Sequence, residues 1–205
     1  RDVALRTMCE ERWAVRTDVI SDAAAASLAT HFFGSGDVRN LLSIVLRFAN
    51  ASHGEVGVGI GMIIHGEPYH GEFGTAGEVA LPLVHPLVDA RDDRGHAFAD
   101  TTAFVAALQA GQAGAVAAGN RVARDLVHLV AGAVDLLEPG RLIIESDVPE
   151  LGAAFEALLT QTLVERRARH KRGQTDVVFS TRAEFAGVRG AVVPALQRLF
   201  QLPSW

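Results

Sequence analysis

Three features of this 205-residue chain predict a mixed α/β fold, in which an antiparallel meander is followed by βα units and one sheet is covered by helices. The first is the stretch 54–78, GEVGVGIGMIIHGEPYHGEFGTAGE, where apolar residues alternate with glycine at the two-residue period of a strand. The second is the near-continuous apolar run NLLSIVLRF at 40–48, which reads as a buried strand. The third is the change of period after residue 100, where long helical stretches alternate with short β-rich ones.

Composition narrows the class. The chain is 49% hydrophobic, enough for one substantial core, and a single compact unit is expected. A formal charge of −5 and a pI near 5.9 offer no concentrated positive surface, so this chain alone should not bind DNA. Its one cysteine, Cys9, excludes an internal disulfide framework and a multi-cysteine zinc cage. No run approaches the roughly 20 apolar residues that span a bilayer, so a cytoplasmic location without membrane contact is expected.

The opening residues Val3, Leu5, Met8 and Cys9 follow an amphipathic pattern, and Trp13-Ala14-Val15 follows as a strand whose partners would lie upstream. Residues 22–31 are helical by alanine content, and Ser21 or Asp22 can cap them. Asp22 therefore has two readings: a plain helix cap, or a general base facing a cleft at a strand-to-helix junction. In the glycine stretch, Val56, Val58, Ile60, Met62 and Ile64 share one face, and Gly57, Gly59, Gly61 and Ile63 the other. His65-Gly66-Glu67-Pro68 has the composition of a hairpin turn, with Tyr69 and His70 starting the return strand. Glu78 stands after Gly74-Thr75-Ala76-Gly77, a loop able to adopt positive φ.

Residues 84–100 read as a polar excursion. There His85 and His96 with Asp92 and Asp93 could hold a divalent ion or simply be solvated. A short helix is expected over 102–108. A long one follows over 113–137, with Pro139-Gly140 as its stop. A strand at 141–145 feeds a helix that starts with a cap and a proline and turns Leu151, Phe155, Leu158, Leu159 and Leu163 inward. The basic run 165–172 reads either as a solvated helix end or as a phosphate contact. A last strand at 175–180 and a last helix at 184–200, with Val188, Val192, Leu196 and Leu199 inward, complete the order.

Five segments, in this order, resemble the motifs of the ROK family of repressors, open reading frames and sugar kinases. Val19-Ile20-Ser21-Asp22-Ala23-Ala24-Ala25-Ala26-Ser27-Leu28-Ala29 resembles its E-N-D-A-N-A-A-A-L-A segment, and Gly57 to Ile64 with Gly66, Tyr69 and Gly71 its G-x-G-x-G hairpin. Gly74-Thr75-Ala76-Gly77-Glu78 resembles G-A-A-G-E, Val134-Asp135-Leu136-Leu137-Glu138-Pro139 resembles N-L-L-N-P, and Gly187-Val188-Arg189-Gly190-Ala191 resembles L-x-G-A-A. The resemblance implies the C-terminal lobe of an actin-like, ribonuclease H-like ATPase architecture. Residues 22–205 would form that lobe and residues 1–21 the end of an N-terminal one, with the rest of that lobe and a DNA-binding domain lying upstream.

The resemblance also implies a site. Ser21, Asp22 and Glu78 would bind a sugar, Asp22 would be the catalytic base if the protein is a kinase, and Gly57 and Gly59 would lie against a nucleotide. Departures from the family pattern shape the expectation. Leu81 stands where the family has a histidine, the family cysteine cluster is missing around 88–96, and Glu145-Ser146-Asp147 replaces a Gly-Gly. Neither zinc nor ATP is therefore expected as a cofactor, and no metal ligand is assigned. The resulting expectation is the effector-binding and dimerisation part of a ROK-type transcriptional regulator, a homodimer or tetramer. It would respond to a small sugar and reach DNA only through the upstream domain. The alternatives are an ATP-dependent hexose kinase and a ligand-free oligomerisation module.

Overall fold

The computed structural model describes residues 4–34, 38–47, 57–78, 90–170, 175–180 and 183–200. The predicted class is what forms: a five-stranded mixed sheet in the order β3-β2-β1-β4-β5, with helices on both faces. β1 (Leu41–Arg47) runs antiparallel to β2 (Gly57–Ile64) and parallel to β4 (Arg141–Ser146), which in turn is parallel to β5 (Asp176–Ser180). β3 (Glu67–Pro68) closes the meander against Ile64 and Ile63.

Alternation along the central strands sorts the two faces. Leu42, Ile44 and Leu46 of β1 and Leu142 and Ile144 of β4 join the main core. There they meet Phe104 of α3 (Thr101–Gln109), Leu126 and Val130 of α4 (Ala113–Leu137), and Phe155 and Leu159 of α5 (Pro149–His170). Leu41, Val45, Ile63 and Ile143 face the other way, toward α2 (Asp22–Gly34) and Val193 of α7 (Val193–Phe200). On that side the sheet presents Gly59, Gly61 and Ser43, so the alanine-rich α2 lies almost on the backbone. The built Cβ of Gly61 would collide with the Ala23 carbonyl and the Ser27 hydroxyl, and that of Gly190, in α6 (Ala183–Ala191), with the Ala25 carbonyl. Every residue from Ala23 to Ala29 is buried, because α2 is packed between the sheet and α6.

Helix ends follow their local chemistry. Asp100 accepts a hydrogen bond from the Ala103 N–H at 2.8 Å and caps α3. Asp100→Ala is expected to destabilise the fold by about 1 kcal/mol, read as a lower urea midpoint at unchanged slope. α4 spans the residues its period predicts and ends with Glu138 in the left-handed region before Pro139. The polar excursion is tied down by Asp92, whose Oδ1 accepts from the Arg94 and His96 N–H groups, while Asp93 accepts from Gly114 at the start of α4.

Four expectations are corrected. α1 (Leu5–Trp13) forms, but no strand follows it: residues 14–21 make no ladder, Ala14 turns left-handed, and Val15 and Val19 are exposed with no strand beside them. The hairpin turn is only His65-Gly66, both at positive φ (55° and 87°), so the return strand is Glu67–Pro68 rather than Tyr69 and His70. The last helix is two helices, broken at Val192 because Pro194 lacks an N–H and tolerates only a first turn. That break rotates the buried face: Gly190 and Val193 point inward, while Val188, Val192 and Leu199 are exposed. The expectations placed on Leu81 and His85 lie outside the described residues. No described helix is long and apolar enough to cross a membrane.

Candidate functional site

The carboxyl ends of the parallel strands β1, β4 and β5 meet the amino end of α2 at one edge of the sheet, the position at which open α/β sheets place ligands. Pairing sets a single lateral row across it, running Glu78, Gly59, Val45, Glu145, Ser180. Laterally paired side chains share a face. Glu145 therefore projects to the α2 side with Val45, and so does Arg47, two residues further along β1.

Asp22 is the first residue of α2, and its Oδ1 accepts a hydrogen bond from the Ala23 N–H at 2.8 Å. Ser21 takes the capping role, its hydroxyl accepting from the Ala24 N–H at 3.2 Å. Both residues thus accept from N–H groups of the first turn, while the Asp22 carboxylate stays more than half exposed, with Arg47 Nε 3.8 Å from its Oδ2. On the other side of Gly59, Glu78 pairs with that glycine as an isolated antiparallel bridge and is exposed. Gly77, at φ 87°, brings the loop in by accepting from the Ile60 N–H at 3.0 Å. Asp22 and Glu78 consequently flank the same backbone position, since a Cβ on Gly59 would lie 3.6 Å from Asp22 Oδ1. Gly57 faces the Arg47 stem, and the space over Gly59 is taken by Ala23 and Asp22.

Two residues of this edge are not among the predicted site residues: Arg47, and Glu145, which the sequence marks only as part of the segment replacing a Gly-Gly. Glu145 is 2% exposed, and its Oε2 has no hydrogen-bond partner among the described residues. Burial pushes its pKa up from the usual 4.5 to about 7; the Arg47 charge opposes that shift and the Asp22 charge adds to it. Arg47 is the cation that links Asp22 to this buried acid. The advance signals are the Glu145-Ser146-Asp147 segment in place of a Gly-Gly and the charges, Arg47 and Glu145, that end the apolar runs of β1 and β4.

Neither a nucleotide polyphosphate nor a metal ion finds a matching donor set in the described residues. A polyphosphate at the carboxyl end of β4 would meet the Glu145 carboxyl rather than open backbone, with Asp22 beside it. For a metal, no group of three or more His, Cys, Asp or Glu among the described residues is placed to hold an ion. In the excursion, Asp92 Oδ1 is already engaged by backbone N–H groups, foremost that of His96, which hold its carboxyl below the usual range. A groove of about 470 Å³ opens instead at the opposite edge, lined among others by Asp135, Glu156, Leu163, Arg166 and Thr175. Its charges are paired across the groove, Arg166 with Asp135, whereas the α2 edge holds exposed carboxylates over a buried one.

No family model matches the chain. A stretch of 94 residues is 34% identical to a protein of Caldicellulosiruptor sp. (strain Rt8B.4) described as "Putative xylose repressor", covering 45% of this chain and 21% of that protein. The match thus spans about a fifth of that relative. Among solved structures, a ROK family glucokinase from Streptomyces griseus, in complex with glucose and AMPPNP, superposes with a TM-score of 0.70 at 21% identity, covering 94% of this chain and 72% of that one. A ROK family transcriptional regulator, a homologue of the E. coli MLC protein, superposes with a TM-score of 0.65 at 20% identity, covering 93% and 54%. The α/β fold with its mixed five-stranded sheet is that of these two ROK proteins. The resemblance to the ROK family holds in fold over nearly the whole chain and in sequence over those 94 residues.

Proposed function

We propose that this chain is the effector-binding and dimerisation part of a ROK-type transcriptional regulator, with a sugar bound between Asp22 and Glu78. The observation that carries the reading is Glu145: a buried carboxyl closes the end of β4, where a kinase needs backbone open to a nucleotide. The two exposed carboxylates on either side of Gly59 suit a polyol, because each can accept two hydrogen bonds from neighbouring hydroxyls. The repressor described for the Caldicellulosiruptor relative points the same way. Effector binding would then favour one lobe or subunit arrangement, which DNA-binding domains elsewhere in the protein read as a population shift. The competing reading, a hexose kinase with Asp22 as base, draws on the glucokinase-like fold.

Thermal-shift titration of the intact protein with monosaccharides separates the readings. A sugar that raises the melting temperature, with the shift abolished in Asp22→Ala and Glu78→Ala and no turnover of ATP, supports the regulator. ATP-dependent phosphorylation of that sugar would establish the kinase instead. Sedimentation of the same samples is expected to show a dimer or tetramer.

A further inference from the structure

The charges at the α2 edge say which sugars it takes, an inference that rests on the sugar-binding reading above. Arg47 is the cation that the described residues bring to Asp22, and it shares the α2 face of the sheet with Glu145. Asp22 lies 3.8 Å from its Nε, and Glu145, paired with Val45, lies two residues back along the sheet on the same face. Glu145 is 2% exposed and its Oε2 lacks a donor among the described residues, so the Arg47 charge is its compensation. A guanidinium held between the protein's own carboxyls has little charge left for an incoming anion. Asp22 and Glu78, both exposed, present negative charge to whatever enters.

We propose that Glu145, acting through Arg47, makes this cleft select unphosphorylated polyols and reject their phosphates. Glu145 is a positioning residue here: buried on the face that carries Arg47, it draws the guanidinium charge into the protein's own network. A hydroxyl-rich neutral sugar needs only acceptors, which Asp22 and Glu78 supply. A sugar phosphate adds between one and two negative charges, about −1.5 to −2 near pH 7, and meets among the described residues of this edge only a guanidinium already facing Asp22.

The test is calorimetric titration of the intact protein at pH 8 with free aldopentoses and aldohexoses, each against its own terminal phosphate. Wild type is expected to bind a free sugar at least about tenfold more tightly than its phosphate, the size of effect one unit charge has about 12 Å away at an effective dielectric of about 20. Glu145→Gln, which keeps the shape and removes the charge, should narrow that ratio by about tenfold while changing free-sugar affinity far less. Arg47→Gln should widen it, and it supplies the test if Glu145→Gln does not fold. A loss of packing alone would weaken both ligands together. Equal or tighter phosphate binding by wild type, or a Glu145→Gln ratio equal to wild type, overturns the proposal and leaves the sugar-binding reading standing. Failure of every sugar and every phosphate to bind overturns both.

Discussion

Glu145→Gln is expected to make the fold more stable than wild type by about 3 kcal/mol at pH 8, and by less than about 1 kcal/mol at pH 5. The sign follows from the direction of the shift. Burial holds the Glu145 carboxyl at about 7 in the folded chain against 4.5 for the free group, with Arg47 only partly opposing and Asp22 adding to the shift. Between those two values the folded state keeps a proton that the unfolded state has lost, so wild-type stability falls as pH rises through the window and levels off above it. A neutral isostere escapes that penalty. Urea unfolding of both proteins at pH 5 and pH 8 reads the difference directly. A gap that does not grow with pH would mean that Glu145 is paired with a donor and ionised in the folded chain.

Gly61→Ala is expected to destabilise the fold by about 3 kcal/mol or more, at the upper end of overpacking effects, because the atoms it meets belong to backbone and to a buried hydroxyl. The added methyl would press on the Ala23 carbonyl and on Ser27 Oγ, which donates to that carbonyl at 3.0 Å. α2 cannot retreat, since Gly190 of α6 presses on the Ala25 carbonyl from the far side. Asp22 sits on the first turn of this helix, so whatever fraction of Gly61→Ala still folds should also show weakened sugar binding. Gly132→Ala is the control: nothing lies within 4 Å of its built Cβ in α4, and alanine there should be neutral or stabilising by up to about 1 kcal/mol. Equal midpoints for the two variants in urea would show that the helix is not wedged.

Much of the architecture was legible because it is written in local period. The alternation of glycine with Val58, Ile60 and Met62 separates the two faces of β2 correctly, and the 3.6-residue period with Pro139-Gly140 bounds α4 where it ends. The glycines proved to serve close approach of a helix, a role that glycine in a strand permits without naming what approaches. Errors arose where tertiary context outweighed propensity. Val15 and Val19 have strand-forming side chains but no neighbouring strand, and a strand without a partner leaves its backbone groups to water. Val188, Val192 and Leu199 fit one continuous helix, yet the break at Val192 turns that stripe outward and buries Gly190 and Val193 in its place.

The candidate site divides in the same way. Asp22 and Glu78 stand out in the chain because each sits at a recognisable junction, a helix start and a glycine loop. Arg47 does not, since a charge that ends an apolar run looks like a strand reaching solvent, and Glu145 stands out only as part of the segment that replaces a Gly-Gly, with no sign of its burial. Residue order alone was enough for the kinds of element, their sequence, the small-residue faces and the resemblance to the ROK family, all of which depend on neighbours a few positions apart. Strand register decided the rest. It places Gly59, Val45 and Glu145 side by side, brings residues 22, 47, 78 and 145 to one edge, and buries an acid beneath a helix. Those contacts join positions far apart in the chain, and burial, which sets the charge state of Glu145, exists only once the layers have closed over it.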